Sequence, residues 1–166
     1  MINNKKLIYT LSVVIFILFS LIIYLTIFIQ PNITFTTQVN TVSNEDYKRI
    51  INNNQIESPN KRIEQFKHIN VEIKVKTPFN LISNVKIDRD ILEAHLKNNS
   101  KIQILSGGSF EHSNGKEYGE NIEIYLNDIG DNELLNAIRD LKYKVKWKNI
   151  WRKPDKKIFY FKDYLQ

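Results

Sequence analysis

The chain has 166 residues, 24 Lys and Arg against 18 Asp and Glu, and no cysteine. The missing cysteines exclude a disulfide framework and every thiolate metal or redox site. A basic excess this small does not argue for nucleic acid as a partner.

Leu7 to Ile29, LIYTLSVVIFILFSLIIYLTIFI, runs for 23 residues without a charge. As a helix at about 1.5 Å per residue it covers roughly 35 Å, enough to cross a hydrocarbon core of about 30 Å with some tilt. Only a continuous helix satisfies every backbone N–H and C=O inside lipid, so the run predicts one transmembrane span. Lys5, Lys6 and the chain amine precede it, and no charge follows until Glu45. Positive residues stay on the cytoplasmic side, which places residues 1–6 in the cytoplasm and Pro31 to Gln166 outside.

A cleaved signal peptide would carry an apolar region of about 7–15 residues ending in a small-x-small site. Ile27-Phe28-Ile29-Gln30-Pro31 has no small residue to cut at, so the span reads as a retained anchor. A buried core helix is the other alternative, but no further segment is apolar enough to wrap a helix that is hydrophobic all round.

Outside the span about 136 residues remain, a length that suits one compact domain. Without Lys5 and Lys6, 22 basic residues face 18 acidic ones, so this part is mildly basic at +4. Abundant Ile, Asn and Lys with few Ala, Gly and Arg suggest an AT-rich genome. Together with the missing cysteines they suggest a Gram-positive bacterium with the domain outside the cell membrane.

Residues 30–42, QPNITFTTQVNTV, are polar and uncharged and read as an extended stalk. Residues 43–68 read as a helical prelude. Ser43 caps a helix, Val42 and Tyr47 form a hydrophobic staple across the cap, and Asn52-Asn53-Asn54 end it. A second short helix is expected over 59–67, starting at Pro59. The main α+β domain is then 69–166. Ile69, Val71, Ile73 and Val75 alternate with polar residues and predict a half-buried strand. Residues 79–87 read as a loop or a short extra strand. Asp88 is expected to cap a helix carrying Ile91, Leu92, His95 and Leu96.

Residues 101–127 predict a long hairpin turning at Asn114-Gly115. Pairing outward from that turn gives partner numbers summing to 229. Ile104 and Ile102 reach the same face as Ile124 and Leu126 only if the sum drops to 228. A β-bulge near Gly107-Gly108 would supply the extra residue. Asp131 is expected to cap a helix with Leu134, Leu135, Ile138 and Leu141 inward. Lys142 to Lys148 alternate strictly, and a last strand follows from Ile158 to Phe161. Strand, helix, strand, strand, helix, strand is the ferredoxin-like order, βαββαβ, here with an extra C-terminal strand. The expected fold is thus an N-terminal transmembrane helix followed by a two-layer α/β sandwich on an antiparallel sheet.

No catalytic, cofactor-binding or metal site emerges. His68, His95 and His112 lack ligand spacing, whereas zinc needs three or four convergent ligands about 2 Å away. Glu111, Glu117 and Glu120 suggest paired carboxylates, but in the hairpin register they fall into ordinary cross-strand pairs on a solvated ribbon. Ser106-Gly-Gly-Ser109 precedes a strand rather than a helix, so it is not a phosphate cradle. Ser109 and His112 lack an orienting acid.

What stands out is a lysine row. With Tyr143, Val145 and Trp147 inward, Lys142, Lys144, Lys146 and Lys148 share the open face. The ferredoxin-like order would set them beside Lys74 and Lys76, with Trp151 at the rim. Edge protection explains lysines on a peripheral strand. The functional alternative is an anionic partner: lipid headgroups, an acidic wall polymer or an acidic protein. The sequence therefore points to a non-enzymatic, single-pass membrane protein that binds an envelope component. A membrane-tethered enzyme would need a pocket gathering His112, Glu117 and Tyr118. A structural subunit of a membrane complex would use the apolar 158–165 segment.

Overall fold

The computed structural model describes residues 4–28, 30–53, 61–77, 82–112, 115–149 and 153–165. Within them lie the helices α1 (Asn4–Phe28), α2 (Asn44–Asn52), α3 (Leu92–Leu96) and α4 (Asp131–Ile138). The strands are β1 (Asn32–Thr41), β2 (Phe66–Lys76), β3 (Ile82–Arg89), β4 (Ile102–Glu111), β5 (Glu117–Leu126), β6 (Lys142–Asn149) and β7 (Asp155–Tyr160). They form two antiparallel sheets, ordered β1-β2-β5-β4 and β3-β6-β7.

The apolar helix α1 is exposed on every side over Asn4–Tyr24, and none of the Lys5–Tyr24 stretch is buried. A core helix would be covered by its own domain, so that reading is removed and α1 is a candidate membrane span. Two of its hydroxyls are satisfied within the helix. Thr10 and Ser12 donate to the carbonyls of Lys6 and Ile8, at 2.9 and 3.0 Å, as a lipid environment requires.

The expected stalk is not a stalk. Residues 32–41 pair with β2 along their whole length, from Asn32 opposite Lys76 to Thr41 opposite Lys67. Phe35 and Thr37 are buried, Ile33 and Val39 are partly covered, and the residues between them are exposed. Phe35 packs its ring on Tyr143, Phe159 and Tyr164 with centroids 4.8–5.3 Å apart. The Thr37 hydroxyl donates to the Tyr164 carbonyl at 2.9 Å, tying β1 to the C-terminal segment.

This pairing changes the topology. The segment β2-β5-β4 keeps the ferredoxin-like arrangement of the first three strands. The place on the other side of β2, where that fold puts its last strand, is held by β1. With both edges of β2 occupied, β6 joins β3 and β7 in a second sheet. The architecture is α+β, with the sheet β1-β2-β5-β4 as one layer. The second sheet, together with α3 and α4, forms the other. Ile69, Val71, Ile73, Ile122 and Ile124 of the first layer share one core with Leu92, Leu96, Leu134, Ile138, Tyr143, Val145, Trp147 and Phe159 of the second.

The hairpin register follows the expected sums. Ile102 faces Leu126 and Ile104 faces Ile124, whereas Ser106 faces Glu123 and Glu111 faces Tyr118. The extra residue is Leu105 rather than one of the glycines. It turns outward to join Phe66, Tyr125, Val42 and Ile50 in a small second core beneath α2. Ser43 caps α2 as expected, its hydroxyl accepting from the Asp46 amide at 3.1 Å. That hydroxyl's bond to Asp46 is the first of the contacts that hold the Asp46 carboxyl below the usual carboxylate range, ahead of Arg49.

Two other caps fall elsewhere. Asp88 lies within β3, and α3 starts after Ile91. Gly130 precedes α4, leaving Asp131 as its first residue. There Asp131 pairs with the buried Lys67 at 2.8 Å. Pro59 lies outside the described residues, and residues 63–65 form one 3₁₀ turn leading into β2.

Candidate functional site

β6 alternates as the sequence demands. Tyr143, Val145 and Trp147 are buried, and Lys142, Lys144, Lys146 and Lys148 face the other way. The row is not peripheral, because β6 is the central strand of its sheet. Across it, Lys146 stands opposite Lys86 of β3 and Lys156 of β7, and Lys144 stands opposite Asp88 and Ile158. Lys142 stands opposite Tyr160. Partners directly across an antiparallel pair point to the same side. The outer face of this sheet therefore gathers Lys86, Lys142, Lys144, Lys146, Lys148 and Lys156. Ile158 and Tyr160 are set among them and exposed by 37% and 41%.

Two acids border this face: Asp90 accepts from the Lys142 amide at 3.3 Å, and Asp88 lies opposite Lys144. Asp88 pairs with Lys146, and with Lys86 at 3.6 Å. The hydrogen bond from Lys146 is the chief cause holding the Asp88 carboxyl below its ordinary range. Lys74 and Lys76, expected beside the row, belong to the other sheet, on the outer side of β2. Lys74 is engaged by Glu72 at 2.6 Å, a bond that raises its pKa. Trp151 lies outside the described residues. Of the 158–161 aromatics expected at the rim with Trp151, Tyr160 is on the face, whereas Lys86, Lys156 and Ile158 were missed as members of it. For Lys86 the signal was the alternation Val85-Lys86-Ile87-Asp88, which reads as a strand once residues 82–89 are paired.

The histidines do not converge, and no group of three or more His, Asp or Glu side chains suited to a metal ion occurs among the described residues. His112 and Glu117 approach to 3.4 Å in the open, on the outer side of the hairpin. Tyr118 points to the interior, so no pocket joins the three. His95 sits against the Ala137 carbonyl at 2.7 Å, linking α3 to α4.

Glu120 departs from the solvated-ribbon reading, being only 2% exposed. It accepts from the Tyr118 hydroxyl at 2.8 Å, the Tyr143 hydroxyl at 3.5 Å and the Glu93 amide at 3.3 Å. The Arg89 guanidinium lies 4.2 Å from the Tyr118 ring centre and reaches Glu111 at 3.1 Å. Burial first, then the Glu120 charge, pushes both tyrosine hydroxyls above their usual range. These groups sit where the two sheets meet and bond mainly to one another, with the Arg89 Nε buried and unpartnered, which fits a structural clamp. No known protein family, curated protein or solved structure matches the chain.

Proposed function

We propose that the chain is a single-pass membrane protein with a cytoplasmic N-terminus and a retained anchor. Its domain, outside the membrane, binds an anionic envelope partner through the outer face of the β3-β6-β7 sheet and performs no catalysis. One observation carries this reading: the lysines occupy a strand with a neighbour on either side. Edge protection accounts for lysines only where an edge is open, and β6 has none. Like charges opposite one another cost roughly a few tenths of a kcal/mol per pair. Along the row Lys86–Lys146–Lys156 the one carboxylate of Asp88 pairs with Lys146 and Lys86, so three ammonium groups face one acid and an excess of positive charge is left for an anionic partner.

The test compares the full chain in neutral detergent with a variant carrying Lys142→Gln, Lys144→Gln, Lys146→Gln and Lys148→Gln. Both are measured for retention of polyglutamate and of polyglycerol phosphate. The wild type is expected to retain at least one polyanion in a salt-dependent manner. The variant should keep the same circular dichroism spectrum and lose retention. Equal retention by the two proteins overturns the proposal.

A further inference from the structure

The lysine face runs along β6 from Lys142 at its far end to Lys86, Lys146, Lys156 and Lys148 at the end of the domain to which the anchor is attached. α1 ends at Phe28 and β1 begins at Asn32. The connection therefore spans at most about 14 Å, so the Asn32 end of the first sheet is held near the bilayer surface. Three neighbours mark that end. Lys76 stands opposite Asn32. The Val75 amide donates to the Lys116 carbonyl at 2.8 Å. Gly115, in the β4-β5 turn, has φ +66°, and a Cβ built on it would lie 2.5 Å from the Val85 carbonyl oxygen.

The last contact fixes the direction of the second sheet. Arg89 of β3 stacks on Tyr118, three residues beyond Gly115 on β5, whereas Val85 reaches the turn at Gly115 itself. Moving along β3 from Arg89 to Val85 is thus moving toward the anchor. Lys86 follows Val85, Lys146 and Lys156 stand across from it, and Lys148 lies one step further along β6.

From these placements we infer that the outer face of the β3-β6-β7 sheet lies on the anionic lipid headgroups of the membrane that α1 spans. The inference rests on the anionic-partner reading above and deepens it. Two features favour lipid over a soluble polymer. The short connection leaves the face within reach of its own leaflet, where anionic headgroups are concentrated. Ile158 and Tyr160 stand exposed between Lys142, Lys144 and Lys156, and an apolar and aromatic group among lysines suits the headgroup–acyl boundary. Lys116 and Lys76 add positive charge at the same end, whereas α2 and its Lys48 belong to the opposite end, beside Phe66.

The experiment places the full chain in nanodiscs of phosphatidylcholine alone or with 30% phosphatidylglycerol. Lysine acetylation is followed residue by residue by mass spectrometry. Acetylation of Lys144, Lys146 and Lys156 should slow by roughly fivefold or more in the anionic discs, on the scale of one lysine's attraction to an anionic leaflet. It should recover in 0.5 M NaCl, and Lys48 should not change. In the four-glutamine variant, Lys86 and Lys156 should lose their protection. Equal rates in the two discs, with protection by soluble polyglycerol phosphate, would overturn the lipid assignment and leave the anionic-partner reading standing. Equal rates with no protection by either anion would overturn both.

Discussion

Replacing Phe35 by alanine tests whether the segment after the anchor is part of the fold. A tether would tolerate the change. A strand whose ring is 5% exposed and touches Tyr143, Phe159 and Tyr164 would not. Truncating a core phenylalanine costs about 3–5 kcal/mol, a large share of the roughly 5–15 kcal/mol that stabilises a typical domain. With a urea slope near 2 kcal/mol/M, the unfolding midpoint should fall by about 2 M. The assay is urea unfolding of the full chain in neutral micelles, followed by tryptophan fluorescence, to which buried Trp147 contributes. Thr36→Ala, on the exposed side of the same strand, is the control and should stay within about 0.5 kcal/mol of wild type. If Phe35→Ala unfolds the domain outright, Phe35→Leu should give a measurable intermediate midpoint. A midpoint for Phe35→Ala indistinguishable from that of Thr36→Ala would refute the assignment of β1 to the core.

Lys67 offers a second test, because its ammonium is buried while its partner Asp131 is largely exposed, at 7% and 64% of their side-chain surfaces. Asp131→Ala should cost about 2–4 kcal/mol by stranding a buried charge, whereas Lys67→Met should stay within about 1 kcal/mol of wild type. Urea midpoints in the reverse order would contradict the pairing. Alkaline titration supplies the third. Tyr118 and Tyr143 hold their protons more tightly in the folded state than in the unfolded one. Their contribution is therefore complete below about pH 10 and lost as pH rises from there toward the folded values. Tyrosinate absorbance should show these two ionising only as the domain unfolds, and the Tyr118→Phe, Tyr143→Phe double variant should flatten the pH slope. Smooth titration of every tyrosine near pH 10, with the fold intact, would contradict their burial.

What could be read from the sequence follows from where the period of two is local and where it depends on a distant partner. The 228 and 229 sums of the hairpin were legible because both strands and the turn lie within one stretch, and the apolar faces admit one register. The bulge fell at Leu105 instead of Gly107-Gly108 because Leu105 has its own apolar destination, the patch of Phe66, Tyr125 and Ile50 under α2. β1 was misread because its alternation is diluted. Ile33, Phe35 and Val39 occupy one side, but Thr37 takes the fourth place, buried through its bond to the Tyr164 carbonyl. β3 was obscured by the register shift between Ser83 and Lys86, where Asn84 takes φ 52°, a conformation Asn tolerates better than most residues. Missing β1 put β6 beside β2 in the expected topology, and so drew Lys74 and Lys76 into a face they do not share.

The lysine face and the core are two sides of the same register. Tyr143, Val145 and Trp147 fill the interior from β6, and a slip of one residue would bury Lys142, Lys144, Lys146 and Lys148 in their place. Desolvating four ammonium groups without partners costs several kcal/mol each, so the parity cannot drift, and the lysines are presented by a rigid strand rather than a loop. The same inner residues connect this strand to the anchor. The Phe35 ring lies against Tyr143 and Phe159, on β6 and β7, and β1 begins four residues after α1 ends. The lysine strand is therefore coupled to the candidate membrane helix α1 through packed aromatic rings and the β1–β2 ladder, and the residues just past α1 are part of the fold and no free tether.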